Sequence, residues 1–521
     1  MFIQTYSPIS PIGWSFGLAI LPLIVLCVLL IIGRTKPTAT YLIILFITIF
    51  LASVVWKMPL HMVAGTVFYG ILFGVFPLFY IIWSSVFLFR VAERCGYIEV
   101  IKNSLMTVGD RMEWKILLVG FGLTAFIDST AGFLTPIAIS AALLSQLGVG
   151  RERSAIAALT ACAVPAVFGA VGIPVLLLAQ VTGQSIEEIL RQCVVSDFIP
   201  AFLAPLLTCW AACGWRSARA FLLPCLLGGF SYSLATLASV AYLSPYLGAA
   251  IGAVVFIVVI LIMVRMQDRS NGTWTWSGMS KGWRPFVLLT VFVVVWNLPV
   301  VKQLLLHLGG QWGIPGLDRR VFSSHPFGEH AVRAIWNGQV VASAGTAIIV
   351  ASLVTALSSG MTLREWGKSL VDTLFSMRVA AINLSVVCSV GFLLVYSGMA
   401  GTIAYPFQYF AESYLIIAPF MGWLGTFLTG SNSASIGLFG GLQTFAAQMT
   451  HVSPAAIAAS FSVAAAGGKM VAPQALEVAL QSTNLEAGKE SVLLRKVLGF
   501  SLFIPIAAIG VAFFSQLFGI I

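Results

Sequence analysis

The chain has 521 residues, 59% of them hydrophobic and only 9% charged, with a mean hydropathy of +0.99. Too few polar side chains remain to coat a water-soluble globule, and the recurring apolar runs have the length, about 17–25 residues, that a hydrocarbon core about 30 Å thick demands of α-helices. A soluble enzyme and a β-barrel are both excluded, and the fold class expected is an all-α polytopic membrane protein. The formal charge of +10 is spread as single Lys and Arg residues between apolar runs, with no basic stripe and interleaved aromatics, so the partner implied is the bilayer and not a nucleic acid.

Taken in chain order, the first apolar run, Ile12 to Ile32, has no basic segment before it and no small-residue cleavage site after it, and is predicted to be an uncleaved first span. Spans are predicted at 12–33, 40–56, 77–92, 194–213, 220–242, 246–265, 286–306, 339–357, 379–397 and 497–518. Residues 115–182 and 416–483 are each too long for one span and carry a polar cluster near their middle, so each is predicted to be a re-entrant hairpin followed by a broken helix. The clusters are Ile127-Asp128-Ser129-Thr130-Ala131-Gly132 and Thr429-Gly430-Ser431-Asn432-Ser433-Ala434-Ser435.

A repeat underlies this pairing. Ala155-Ile156-Ala157-Ala158 recurs as Ala456-Ile457-Ala458-Ala459, and the same displacement places Ser129 on Gly430. Both copies run into Gly-rich breaks, Phe168-Gly169-Ala170-Val171-Gly172-Ile173-Pro174 and Ala466-Gly467-Gly468-Lys469-Met470-Val471-Ala472-Pro473. The chain divides accordingly into an N-terminal span (1–37), a first repeat (38–242), linking helices with a long loop (243–338) and a second repeat (339–521). Segments 60–75 and 362–377 occupy matching places, and the second, with Arg364, Glu365, Lys368 and Asp372, reads as an interfacial amphipathic helix.

Positive charge sets the expected orientation. Arg90, Arg94, Lys102, Arg111, Lys115, Arg151 and Arg153 flank the first hairpin, whereas Glu412 and His451 flank the second. The first hairpin is therefore expected to enter from the cytoplasm and the second from outside, an inverted-topology repeat in an inner membrane, with the N-terminus outside. Arg216, Arg219, Arg265, Arg269, Lys281, Arg284, Arg364, Lys368, Lys489, Arg495 and Lys496 then fall inside, while the loop from Leu308 to Gly338, with Arg319, Arg320 and Arg333, falls outside against the rule.

Lys469 is the most informative charge, since a central Lys in a span costs at least about 2.5 kcal/mol to insert. It either contacts an anionic substrate, or it snorkels or pairs permanently with an acid. Asp128, predicted at the tip of the first hairpin, is a candidate proton site and equally a candidate N-cap for the following half-helix, with Ser129 or Thr130 as alternative caps. Glu477 is a weaker candidate near the water boundary. Ser431, Asn432, Ser433 and Ser435 offer hydroxyls, an amide and half-helix N–H groups suited to a carboxylate, although small polar residues also serve close helix packing. Ser129, Thr130, Gly172 and Gly468 complete the candidate substrate-binding set, the glycines chiefly by letting the backbone bend.

The metalloprotease H-E-x-x-H and dinucleotide G-x-G-x-x-G motifs are missing, and the glycine spacing before Lys469 rules out a Walker A loop. Eight cysteines without C-x-x-C spacing read as reduced packing residues, and the five histidines fall in loops or interfaces, so no metal or cofactor is expected.

At the same blocks the sequence resembles the L-lactate permease family, whose members are proton-coupled importers of lactate and related 2-hydroxy monocarboxylates. The resemblance is carried by Phe126-Ile127-Asp128 with Ala131-Gly132-Phe133 and Pro136, by Pro165 with Phe168 to Pro174, by Gly430-Ser431 with Leu438-Phe439-Gly440 and Leu442-Gln443, and by Gly468-Lys469-Met470 with Pro473-Gln474. It spans nearly the whole chain. Where the family carries Glu this chain has Asp128, and where it carries Asp and a later Asn this chain has Asn432 and Ile436. The resemblance implies a symporter for L-lactate and glycolate with the proton as coupling ion, sodium being the alternative, and an elevator-like motion. Charge balance points the same way, because importing a monoanion against an inside-negative potential costs about 2.3 kcal/mol per 100 mV, which a co-transported cation removes. A channel would instead need a pore lined by repeated polar faces. The expected partner is a small carboxylate, with a second copy of the chain as a candidate for a homodimer.

Overall fold

A computed structural model describes all residues except 32–35, 107, 109–110, 133, 244–245, 268–280, 411–412, 451, 487–488 and 518–521. Arg34, Phe133, Arg269, Glu412 and His451 thus lie outside the described residues. The chain is a polytopic helical bundle: among the described residues nine helices are long and apolar enough to cross a membrane, and two further pairs qualify as bent spans. Helices prevail because hydrocarbon offers no partner for a free N–H or C=O, and a helix of 20 residues such as Ile12–Ile31 spans the roughly 30 Å required.

Several boundaries differ from the sequence expectation, two of them by more than a shifted end. The span expected at 77–92 begins earlier, because the apolar helix Leu60–Phe73 runs into Tyr80–Arg94 through a short π-helical stretch, with Phe76 alone leaving helical angles. The Phe76 carbonyl released there accepts a hydrogen bond from the Trp336 indole at 3.0 Å. The single span expected at 286–306 is instead two helices bent by 74°. Leu298, extended because a proline follows it, ends the first.

The all-α expectation has one local exception. Within the long connection, Gln311–Gly313 pairs antiparallel with Ile335–Asn337, and Val321–Phe322 pairs with both Ala331–Val332 and the N-terminal strand Phe2–Ile3. This small cap docks on the bundle through Gln4, whose amide donates to the carbonyls of Val395 and Tyr396 at 2.7 and 3.1 Å. Segment 362–377 forms the expected amphipathic helix, Leu363–Ser376, started by a capping box between Thr362 and Glu365. The Thr362 N–H holds the Glu365 carboxyl below its usual range, so this cap is complete at neutral pH.

Two groups of helices divide the bundle. In one, Tyr80–Arg94 packs on Ala344–Ser358 while Pro37–Val54 and Leu60–Phe73 pack on Arg378–Ser397. In the other, Ile186–Cys213, Pro454–Gly468, Tyr414–Thr429 and Glu490–Leu517 pack on one another and on Arg151–Ala161 and Leu222–Tyr242. The groups meet where Asn432–Thr450 crosses Arg378–Ser397. At that crossing a Cβ on Gly391 would overlap the Gly437 carbonyl, so the backbones touch directly. Gly391→Val is expected to part the helices and lower stability by about 1–3 kcal/mol, read as an earlier thermal unfolding transition in detergent; a transition matching the wild type would show that the crossing yields.

Candidate functional site

Both special regions form hairpins followed by broken helices. The first hairpin runs up residues 112–130, turns, and returns along Thr135–Gln146; its broken helix is Arg151–Ala161, a 3-10 turn, and Gly169–Thr182, bent by 47°. The second is Tyr414–Thr429 and Asn432–Thr450, followed by Pro454–Gly468, the turn Lys469–Val471 and Pro473–Ser482. Gly430 makes the second tip at φ +72°, a left-handed angle, and a Cβ there would also strike the Gln474 side chain. The hairpins open to opposite ends of the bundle: Trp114 at the base of the first packs on Phe221, whereas Phe445 at the base of the second packs on Tyr6 and Phe327 of the strand cap.

Between the tips lies a small cleft, about 470 Å³ when its open mouth is counted in full. Asp128, Lys469, Ser431, Asn432 and Ser433 line it, together with the backbone of Gly169 and Ala170. Lys469 Nζ donates to Asp128 Oδ1 at 2.6 Å, and the Cys162 thiol donates to the same oxygen at 3.2 Å. Asp128 is fully buried and Lys469 is 6% exposed. Of the two readings of Lys469, the ion pair with an acid is therefore present in this conformation. Asp128 Oδ2 faces Gly169 and has no partner.

Asp128 does not cap a helix. It lies short of the tip, inside Thr124–Thr130, and Ser129 and Thr130 both donate back to the Phe126 carbonyl, at 2.8 and 2.9 Å. The return helix starts after Leu134 with no side-chain cap, because the chain first passes through Ala131 and Gly132. Ser435 donates to the Gly422 carbonyl within its own hairpin, at 3.3 Å, and Gly468 abuts the Trp423 carbonyl. Ser129, Thr130, Ser435, Gly172 and Gly468 thus stand behind the cleft wall, and Glu477 is exposed. Cys162, which reads in the sequence as a packing residue, and Gly169, which reads as a backbone bend, join the site. Their position just before and inside the first Gly-rich break was the available signal.

The second tip presents a helix N-terminus to the cleft. Ser431 accepts from the Ala434 N–H through its hydroxyl at 3.4 Å, and the Asn432–Thr450 dipole adds positive potential there. The Asn432 amide nitrogen donates to the carbonyls of Ala166 and Ser462, at 3.4 Å each, one from each broken helix, which leaves its oxygen buried without a partner. Opposite it the backbone takes three consecutive left-handed residues, Ala170, Val171 and Gly172, with φ of 45°, 61° and 74°. For a β-branched Val such an angle stores about 1–3 kcal/mol. A second cavity, lined by Tyr41, Asn383 and Gln474, shares Ile82, Gly430 and Ser431 with the cleft and extends toward Pro37 and Ala380. The cavity at the other end, lined by Phe76, Ile173 and Gln180, shares no lining residue with it.

A polar, charge-paired cleft enclosed by broken helices within a membrane-length bundle is the arrangement of a multi-pass membrane permease. The family model for L-lactate permease matches residues 15–518, and the chain belongs to the L-lactate permease family. It is 29% identical to the glycolate permease of Escherichia coli K12 over 96% of this chain and 95% of that one, and 30% identical to the L-lactate permease of the same organism with the same coverage. The L-lactate permease of Bacillus subtilis is 28% identical, covering 96% of each chain. A solved structure of Neisseria gonorrhoeae MtrF overlays with a TM-score of 0.47 at 13% identity, covering 92% of this chain and 94% of that one, too weak a likeness to bear on function. These relatives are bacterial permeases, which makes the chain a multi-pass protein of the inner membrane.

Removing one partner of a buried ion pair leaves the other uncompensated, at about 3–5 kcal/mol. Asp128→Asn and Lys469→Met are each expected to lower the unfolding transition by that equivalent, and the double variant to regain most of it. Strictly additive losses in the double-mutant cycle would show that the two groups are not coupled.

Proposed function

We propose that the chain carries L-lactate and related small 2-hydroxy monocarboxylates such as glycolate across the inner membrane by proton-coupled symport. What supports the reading is the Lys469–Asp128 pair at the mouth of a helix N-terminus, together with the names of its relatives. An incoming carboxylate competes with Asp128 for Lys469. Once displaced, a buried Asp128 has no cation beside it, and taking up a proton is the cheapest way to remain in the cleft. The exchange is neutral: the ammonium trades one carboxylate for another, and the proton taken up by Asp128 offsets the charge of the incoming anion. The substrate hydroxyl donates to the orphaned Asn432 oxygen, and the N–H groups behind Ser431 and Ser433 receive the second carboxylate oxygen.

In this reading residues 38–242 and 339–521 are inverted repeats, the hairpins are re-entrant, the N-terminus lies outside, and the cleft is open to the cytoplasm through the cavity toward Pro37, beside Lys36 and Arg378. One observation favours sodium as the coupling ion instead: Asp128 Oδ2 and Asn432 Oδ1 are unpartnered oxygens of the kind that bind it. The ammonium at 2.6 Å from the same carboxylate opposes a second cation there.

In proteoliposomes, an inward pH gradient is expected to drive accumulation of L-lactate, with glycolate but not malate competing, and a sodium gradient alone to drive none. Lys469→Ala is expected to weaken lactate competition at least ~30-fold, about 2 kcal/mol. Asp128→Asn, a permanently neutral mimic, is expected to abolish pH-driven accumulation while keeping lactate counterflow. Unchanged transport in both variants would remove the site assignment, and sodium-driven accumulation would remove the proton.

A further inference from the structure

The cavity beside the cleft has walls of a different kind. It holds about 760 Å³ with its open mouth counted in full, against about 470 Å³ for the cleft counted the same way, and Ile82, Gly430 and Ser431 line both. Away from that junction the wall is made by Phe79, Leu134, Leu384, Val387 and Ala434. Phe79 and Ile82 come from the start of Tyr80–Arg94 and the stretch before it, Leu134 from the turn of the first hairpin, and Ala434 from the first turn of Asn432–Thr450. Leu384 and Val387 stand three residues apart on Arg378–Ser397 and so share a face of that helix. Apart from Leu134, these apolar side chains are each less than a tenth exposed. None of the described residues lining the cavity is charged.

The polar side chains of this wall are chiefly engaged with the protein itself. Asn383 accepts from the Thr38 hydroxyl at 2.7 Å, and the Tyr41 hydroxyl donates to the Thr429 carbonyl at 3.3 Å. The Thr429 hydroxyl donates to the carbonyls of Gly425 and Ser431, at 2.8 and 3.0 Å. Gln474 is the exception: its Oε1 is buried without a partner against the Gly430 turn, at the junction with the cleft. Polar recognition is therefore gathered in the cleft and at the junction, and the space beyond offers a solute apolar contact. A charged head and a hydrocarbon tail are what such a division accommodates.

We propose that this cavity is a subsite for the hydrocarbon tail of the substrate, so that 2-hydroxy monocarboxylates with unbranched chains longer than that of lactate are ligands of the same cleft. The proposal rests on the hydroxycarboxylate reading of the cleft and adds to it the wall that sets chain length. With the carboxylate at Lys469 and the hydroxyl at Asn432, the carbon substituent on C2 leaves past Ser431 and Ile82, which the two spaces share. The methyl of lactate ends at that junction. Each further methylene comes against Phe79, Leu384 and Val387 and removes apolar surface from water. A second carboxylate at the end of the tail finds no cation on this wall, so a dicarboxylic acid of the same length is disfavoured.

Displacement of radiolabelled L-lactate from the purified protein in lipid nanodiscs, with both faces open to solution and no ion gradient, reads the tail site without transport. Competition is expected to strengthen about threefold to fourfold per methylene from lactate through 2-hydroxybutyrate and 2-hydroxyvalerate to 2-hydroxyhexanoate, the equivalent of ~0.8 kcal/mol each. 2-Hydroxyadipate, which ends the same chain in a second carboxylate, is expected to compete no better than lactate. Val387→Phe fills the cavity, and Leu384→Asn keeps its volume but makes the wall polar. Each is expected to flatten the series while lactate itself binds within about twofold of the wild type. A flat or declining series in the wild type overturns the tail site and leaves the hydroxycarboxylate reading standing. A series that survives both substitutions unchanged, or lactate binding lost in both, overturns the assignment of this wall. A wild type that binds no L-lactate refutes the reading of the cleft and the tail site with it.

Discussion

The centre of this molecule depends on one buried ion pair. Asp128 comes from the first hairpin and Lys469 from the second broken helix, 341 positions later, and each charge is tolerable in the membrane only because the other is there. Neither half of the chain can complete the cleft alone. On the proposed reading the pair also sets what the cleft accepts: a neutral solute gains nothing from it, a cation meets an ammonium, and a small anion finds a partner already desolvated.

Around that pair the surrounding backbone is arranged to be incomplete. Asn432 ties the two broken helices together through its nitrogen and leaves its oxygen bare, and the second tip turns a helix N-terminus inward. Unsatisfied polar groups are expensive when buried, and a set of them on one wall is what the proposed reading assigns to substrate. The two groups of helices touch with little between them, backbone against backbone at Gly391 and Gly437, where side chains would lock a crossing in place.

The main architecture was legible because membranes leave a chain few options. Apolar length gave the spans, and Gly430 with its run of hydroxyls marked the second tip, since only a break or a cavity explains such residues in hydrocarbon. Lys469 stood out for the same reason. The pairing of Lys469 with Asp128 was open, because composition cannot tell a resting partner from a transported one. Cys162 reads as a packing residue, because a thiol among alanines gives no other signal. The strand cap escaped because its strands are two or three residues long and pair with the distant N-terminus, beyond any local periodicity.

The left-handed turn at Ala170 to Gly172 has no counterpart in the second broken helix, which passes Lys469 in an ordinary 3-10 turn. Two units alike in plan are therefore unlike in tension. A swing that exchanged their postures would not return to an equivalent state, since one unit carries a wound spring and the other a slack one. On the proposed transport reading, the main chain itself would then favour one resting side, apart from any cargo or ion.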